Sequence, residues 1–364
     1  MGVLKKIFII LAFNIGVLST SHMGIEKAVL TKAPFVPPYI TRRENKKVVA
    51  SLRCREGEAV IAKGVRYKRS TFEGEVPGPM IRILEGDHLE LQLINPIGNL
   101  HKYSICLNAL TGPGGGSGVT VVAPGETAIV IFKALNPGPY IYYCGTMPVG
   151  ERISNGMYGM IFVQPKNYSR VDKEFYIMQG EVYTNGAEKF ASYGRSVLAK
   201  FDIKNALAEK PSFVFFNGLY ARHTIKKEHL VARVGDVVRM YVGNAGPNLI
   251  SSFHIMGEIF DKVYIEGGAA INKNVQTTLV PPGGAVIVEL KVEFPGYYAF
   301  IDHSMFRALY KGAIGVLRVE GKANPAVFSS VKIASHNSKA KTQGLKSKKK
   351  TIKIKKHKAV QQRN

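Results

Sequence analysis

The sequence predicts an all-β chain built as two tandem Greek-key β-sandwiches, and two observations carry that reading. The first is an internal repeat. Gly86-Asp87 is followed nine residues after the glycine by Asn95, and Gly235-Asp236 is followed at the same interval by Asn244. Pro124-Gly125 leads to Pro137-Gly138, and Pro282-Gly283 to Pro295-Gly296, with thirteen residues from glycine to glycine in both halves. The second observation is the texture between these phrases. Runs such as Ala128–Phe132 and Val286–Leu290 are rich in β-branched residues and bounded by Pro-Gly turns, and no stretch shows a long capped helical period. The 364 residues, 46% hydrophobic, suffice for two domains of ordinary size, and 37 Gly and 18 Pro suit a turn-rich β architecture.

Taken in order, the chain opens with Lys5 and Lys6 and an apolar run, Ile7–Leu18, interrupted only by Asn14 and Gly16; the small residues Ser19 and Ser21 follow. This reads as a secretory signal over residues 1–21, because the run is shorter than the roughly 20 residues a spanning helix needs. Residues 22–50, with Pro34, Pro37 and Pro38, read as an extended arm. The first sandwich is placed at 51–166, where Leu89, Leu91 and Leu93 alternate with Glu90, Gln92 and Ile94 as in a half-buried strand. The second is placed at 167–320. Residues 321–364 form a basic tail, with eleven Lys or Arg and no acidic residue from Asn337 to Asn364. Such a run repels itself and has little to bury, so it is expected to be disordered. With a formal net charge of +24, the chain suits anionic surfaces of the cell envelope through this tail. Nucleic acid is an unlikely partner for an exported, periplasmic protein, although the charge alone would allow it.

Three cysteines, Cys54, Cys106 and Cys144, give an odd number and so no complete disulfide framework, although export implies an oxidising compartment. Cys144 ends the run Tyr140–Cys144, and Met157 follows thirteen residues on, within Asn155–Gly159. A Cys at a strand end and a Met in the next loop suit a blue copper site, whose ligands are one Cys, two His and a weak axial Met. Taken alone, the same pair is ordinary core packing.

The phrases Val76–Arg82, Leu93–Pro96 and Ala109–Gly112, with the Gly-rich run Gly112–Gly118, resemble the first domain of copper nitrite reductases. Ser252–Gly267 and Asp302–Gly312 resemble their second domain. The likeness spans about residues 65–325, and it makes the Gly-rich run a loop of this fold, since no Gly-Lys-Ser/Thr follows it as in a phosphate cradle. The resemblance implies two cupredoxin-like domains and a homotrimer. It also implies a type 1 copper in the first domain that receives electrons, and a type 2 copper between subunits that reduces nitrite to nitric oxide.

Carried over residue by residue, the resemblance implies lost ligands. The first type 1 histidine falls on Tyr103, the catalytic aspartate on Cys106 and a type 2 histidine on Asn108. The type 2 histidine that precedes the type 1 cysteine falls on Tyr143, and the second type 1 histidine on Arg152. Cys144 and Met157 are retained from type 1, and His303 from type 2. His254 matches the histidine that delivers protons; Asp302 and Thr278 stand at family-like positions, and a nitrite-pocket isoleucine becomes Met256.

A phenol is a harder ligand than an imidazole and titrates near pH ~10, and an arginine puts a fixed positive charge where a cation should sit. The expectation is a homologue impaired or inactive in nitrite reduction, binding copper weakly or not at all, and acting as a trimeric binding or structural protein. Two alternatives stand beside it: an active enzyme with relocated ligands such as His101, or a soft-metal site made from Cys106, His254 and His303. Alternation along the strand turns Tyr103 and Cys144 inward and Cys106 and Asn108 outward, so a Cys106–Cys144 bridge is not expected.

Overall fold

In the computed structural model, residues 23–186 and 196–330 are described, and they fold into four β-sheets that make two sandwiches. In the first sandwich, one sheet runs Val197–Ala199, Val65–Phe72, Lys47–Ala62, His88–Ile94, Thr127–Lys133, with Ile25–Lys27 alongside Lys47–Ala62. Its facing sheet runs Leu30–Thr31, Met80–Leu84, Tyr158–Gln164, Gly138–Tyr143, Cys106–Leu107. The residues read as an extended arm thus contribute two short strands and the start of a long one. The second sandwich pairs Phe213–Phe216, Lys173–Val182, Val237–Asn244, Ala285–Lys291, Phe260–Tyr264 and Ile271–Val275 with Leu230–Arg233, Ile314–Glu320, Gly296–Asp302, Ser251–Ile255 and Thr277–Val280.

The repeated phrases are the repeated joints of this topology. Gly86 and Gly235 take left-handed φ values of 88° and 100°, a conformation that costs glycine nothing. The following Asp87 and Asp236 each accept a backbone N–H from three residues earlier, Leu84 N at 2.7 Å and Arg233 N at 2.9 Å. Asn95 Nδ2 donates to His101 O and Val122 O, at 2.9 and 3.0 Å; Asn244 Nδ2 donates to Leu249 O and Val280 O, at 2.7 and 2.9 Å. Both asparagines therefore tie a strand end to the loop that crosses between sheets. Both halves also contain the parallel pairings of a Greek key: Lys47–Arg53 with His88–Ile94, and Lys173–Gln179 with Val238–Asn244.

Alternation places the core. Along His88–Ile94 every second residue is buried, and Leu89, Leu91 and Leu93 are fully enclosed; each such leucine contributes about 1.5–3 kcal/mol on leaving water. A second core, around Phe216, Phe253, Phe260 and Phe300, fills the other sandwich. A third, with Met160, Phe162, Tyr176 and Tyr241, draws on strands of both sandwiches. Across the same contact, Arg82 forms a bidentate pair with Glu174, both bonds 2.9 Å; within the second sandwich, Arg239 pairs with Glu289 on the neighbouring strand at 2.6 Å.

Among the described residues no helix is long and apolar enough to cross a membrane. The signal at 1–21 and the lysine-rich stretch from Asn337 lie outside the described residues. Contacts bind both sandwiches into one unit that ends at Val327.

Candidate functional site

Tyr103, Cys144 and Met157 are all fully buried in the core of the first sandwich. Cys144 lies just beyond the strand Gly138–Tyr143, and its N–H donates to Met157 O at 3.0 Å, while Met157 N–H donates to Arg152 O at 3.1 Å. These bonds close the loop from 144 to 157 and bring cysteine, methionine and Arg152 to one end of the sandwich. Tyr103 is set beside them by a bridge to Val122. The three positions that sequence reasoning placed together are therefore together.

The chemistry of the donors is not that of a blue copper centre. The Tyr103 hydroxyl donates to Glu56 at 2.7 Å and lies 2.9 Å from Ser70 Oγ. The Arg152 guanidinium sits over the Tyr103 ring, 5.2 Å from its centroid. Burial, together with the Glu56 carboxylate, drives the phenol well above its ordinary range, so it stays protonated. Burial alone would raise Glu56, but hydrogen bonds from Tyr103, His101 and two backbone N–H groups hold its carboxyl below the usual range. A neutral phenol and a guanidinium offer no imidazole-like lone pair to a cation. Among the side chains gathered here only Cys144 and Met157 are donors of the type 1 kind, and the residues present do not fit that group.

His101 stands outside this core. It is exposed, and its Nδ1 lies 3.0 Å from Glu56 Oε1. Sequence reasoning counted Cys54 without placing it; it is fully buried in the same core as Cys144. Burial raises its thiol, and Cys144 raises it further. The signal was present in the alternation Val48, Ala50, Leu52, Cys54, which continues one inward face. All three cysteines are free thiols.

Cys106 points away from this core, as the pleat requires. Its thiol donates to Gly114 O at 3.5 Å in the Gly-rich loop. Tyr143, its antiparallel partner in register, is pushed up to about 12 by its hydrogen bond with Cys106 and then by burial. Asn108 is exposed; with Tyr143 it lines a cleft of about 460 Å³ that is closed on the far side by Ala245–Pro247 and Pro282–Gly283. His254 and His303 do not line this cleft. They face each other elsewhere, with ring centroids 4.9 Å apart. His254 Nδ1 lies 2.6 Å from Gln276 O, which fixes Nδ1 as the protonated nitrogen. Asp302 is buried and holds the turn: it accepts from Ser252 N and Ser304 N, and pairs with Arg307 at 2.8 Å. Met256 is 48% exposed. Among the described residues no three His, Cys, Asp or Glu side chains converge to hold a metal ion.

The fold is that of a protein of two cupredoxin-like sandwiches, and the family model described as multicopper oxidase matches residues 53–168. The chain is 50% identical over 311 residues to the copper-containing nitrite reductase of Neisseria meningitidis serogroup B, covering 85% of this chain and 78% of that one. It is likewise 50% identical to the enzyme of Neisseria gonorrhoeae, over 85% and 77% of the two chains. The solved copper nitrite reductase of Nitrosomonas europaea superposes with a TM-score of 0.68 at 33% identity, over 77% of this chain and 96% of that one. The chain belongs to the copper-containing nitrite reductase family.

Proposed function

We propose that this member of the family has given up nitrite reduction by copper and serves as a homotrimeric binding or structural protein of the cell envelope. One observation carries the reading: Tyr103, hydrogen-bonded to Glu56 and Ser70, and Arg152, lying over its ring, stand where the type 1 copper would need two histidines. Without that centre no electron reaches an interface site, and Asn108 and Tyr143 leave such a site short of imidazoles. Cys106 in place of the aspartate also removes the carboxylate that would work with His254 in moving a proton.

The trimer is supported by the helix Met305–Lys311, directly after His303. Its Phe306 and Tyr310 are 79% and 71% exposed and stack on each other, an apolar surface of the kind that marks an interaction site. His254 and His303 favour a second reading, in which a metal is held between subunits with Cys106.

The test is metal analysis and a visible spectrum of the purified, copper-loaded protein, with a nitrite assay and light scattering. Trimeric protein that takes up no copper and turns over no nitrite supports the proposal. An intense thiolate–copper band with nitrite turnover overturns it. A colourless bound metal that is lost in Cys106→Ala moves the assignment to the second reading.

A further inference from the structure

The replacement of the histidines leaves a feature that the lost copper site does not explain. A cleft of about 610 Å³ opens above Tyr103, lined among others by Glu56, Glu58, Lys68, His101, Glu151 and Arg152. This is within the usual range for a small-molecule site. The Arg152 guanidinium lies over the face of Tyr103, and it is in no ion pair among the described residues. Its Nε is buried without a partner, out of reach of a ligand, so an acceptor in the cleft would meet the terminal Nη atoms. Stacking on a ring occupies the flat face of a guanidinium and leaves its in-plane N–H groups free for a bidentate acceptor.

The surrounding charges say which acceptor fits. The Glu56 Oε1 atom is already taken by Leu100 N, His101 N and His101 Nδ1, each at 3.0 Å, and by the Tyr103 hydroxyl at 2.7 Å. Glu58 is paired with Arg66 at 2.9 Å. Lys68, Arg69 and Arg152 line the cleft without an ion-pair partner among the described residues, against the carboxylates of Glu56 and Glu151. Three cations against these two carboxylates leave one positive charge over, so a single negative charge is favoured here. Leu100, 82% exposed at the rim, offers an apolar surface to the rest of the ligand.

We propose that this cleft binds a small monocarboxylate with an apolar body, its carboxylate held by the Arg152 guanidinium. The inference rests on Tyr103 and Arg152 filling the copper position. It is tested by titrating full-length protein of measured copper content with benzoate, following the Arg152 side-chain Nε–H resonance by NMR, with phosphate at matched ionic strength as the comparison. Saturable benzoate binding that shifts this resonance is expected. Arg152→Met, which keeps the stacking, should weaken binding by at least about tenfold, and Glu151→Gln should tighten it. Equal binding by Arg152→Met at an unchanged urea midpoint overturns the proposal, as does the absence of saturation. Phosphate binding as tight as benzoate overturns the monocarboxylate assignment. Copper bound at this position in the same sample overturns the proposed function itself, whereas copper-free protein that ignores benzoate overturns only this inference.

Discussion

A phenol in place of an imidazole reverses what its neighbours must do. An imidazole ligand needs a cation beside it; the Tyr103 phenol instead donates its proton to Glu56 and lies under a guanidinium. Cys144 and Met157 are buried in the same core as Tyr103, and Asn95 ties the neighbouring strand end to the crossing loop. The double variant Tyr103→His/Arg152→His should therefore take up about one copper per chain and show the intense visible band of a copper–thiolate bond. Either single variant should stay colourless. A colourless double variant after copper loading would show that the loop, and not only its donors, has changed. A second residue-scale prediction concerns Glu258, pushed up to about 7 by burial and by the nearby Asp261 and Glu293. Its folded value lies above its unfolded one, so its charge costs stability: the cost is absent below the ordinary carboxylate range and grows as pH rises through about 7. Glu258→Gln should raise Tm on the order of 2 °C at about pH 8 and leave it unchanged at about pH 4. Calorimetry at the two pH values checks this, and an equal gain at both would exclude a titrating origin.

At the scale of elements, the Gly-rich run is a packing device. Gly115 has φ +55°, and a Cβ there would lie 2.9 Å from Cys106 Sγ and 3.1 Å from Leu107 O. Gly115→Ala should cost about 1–3 kcal/mol, whereas Gly118→Ala, with open space around it, should cost less than about 0.5 kcal/mol. Urea midpoints of the two variants decide. How much was legible in the sequence follows the same division. Strands with strict alternation, such as His88–Ile94, could be read directly, because one face meets the core and the other meets water. The Gly-Asp…Asn phrases located the joints, because only one local geometry satisfies them. The inward and outward sense of Tyr103, Cys106 and Asn108 was legible from the pleat. The short strands Ile25–Lys27 and Leu30–Thr31 were not, because their pairing is dictated by edges far along the chain. The Glu56 carboxylate under Tyr103 was invisible too, since 47 residues separate the partners and no motif links them.

For the whole molecule, the contact between sandwiches is held by charge as well as by apolar packing. Arg82, on a strand of the first sandwich, is almost fully buried and reaches Glu174 on a strand of the second. Tyr241 and Arg239 also donate to Glu174, at 2.7 and 3.2 Å. Removing one partner strands the other inside the protein. Arg82→Met should cost about 3–5 kcal/mol, and a double-mutant cycle with Glu174→Gln should give a coupling of about 1 kcal/mol or more. Strict additivity of the two changes in chemical denaturation would mean that the pair does not join the sandwiches.

The short strand Val197–Ala199 has one further consequence. It borders Val65–Tyr67 at the rim of the first sandwich, yet it is made after Lys173–Val182, the strand that opens the second. On the ribosome the earlier half therefore emerges with one rim bare, and that rim is closed only when the later half has begun to appear. An unclosed rim is an invitation to pair with another chain. The two repeats are thus stitched together in time as well as in space, and the first cannot be cut from the second without losing the strand that closes its rim.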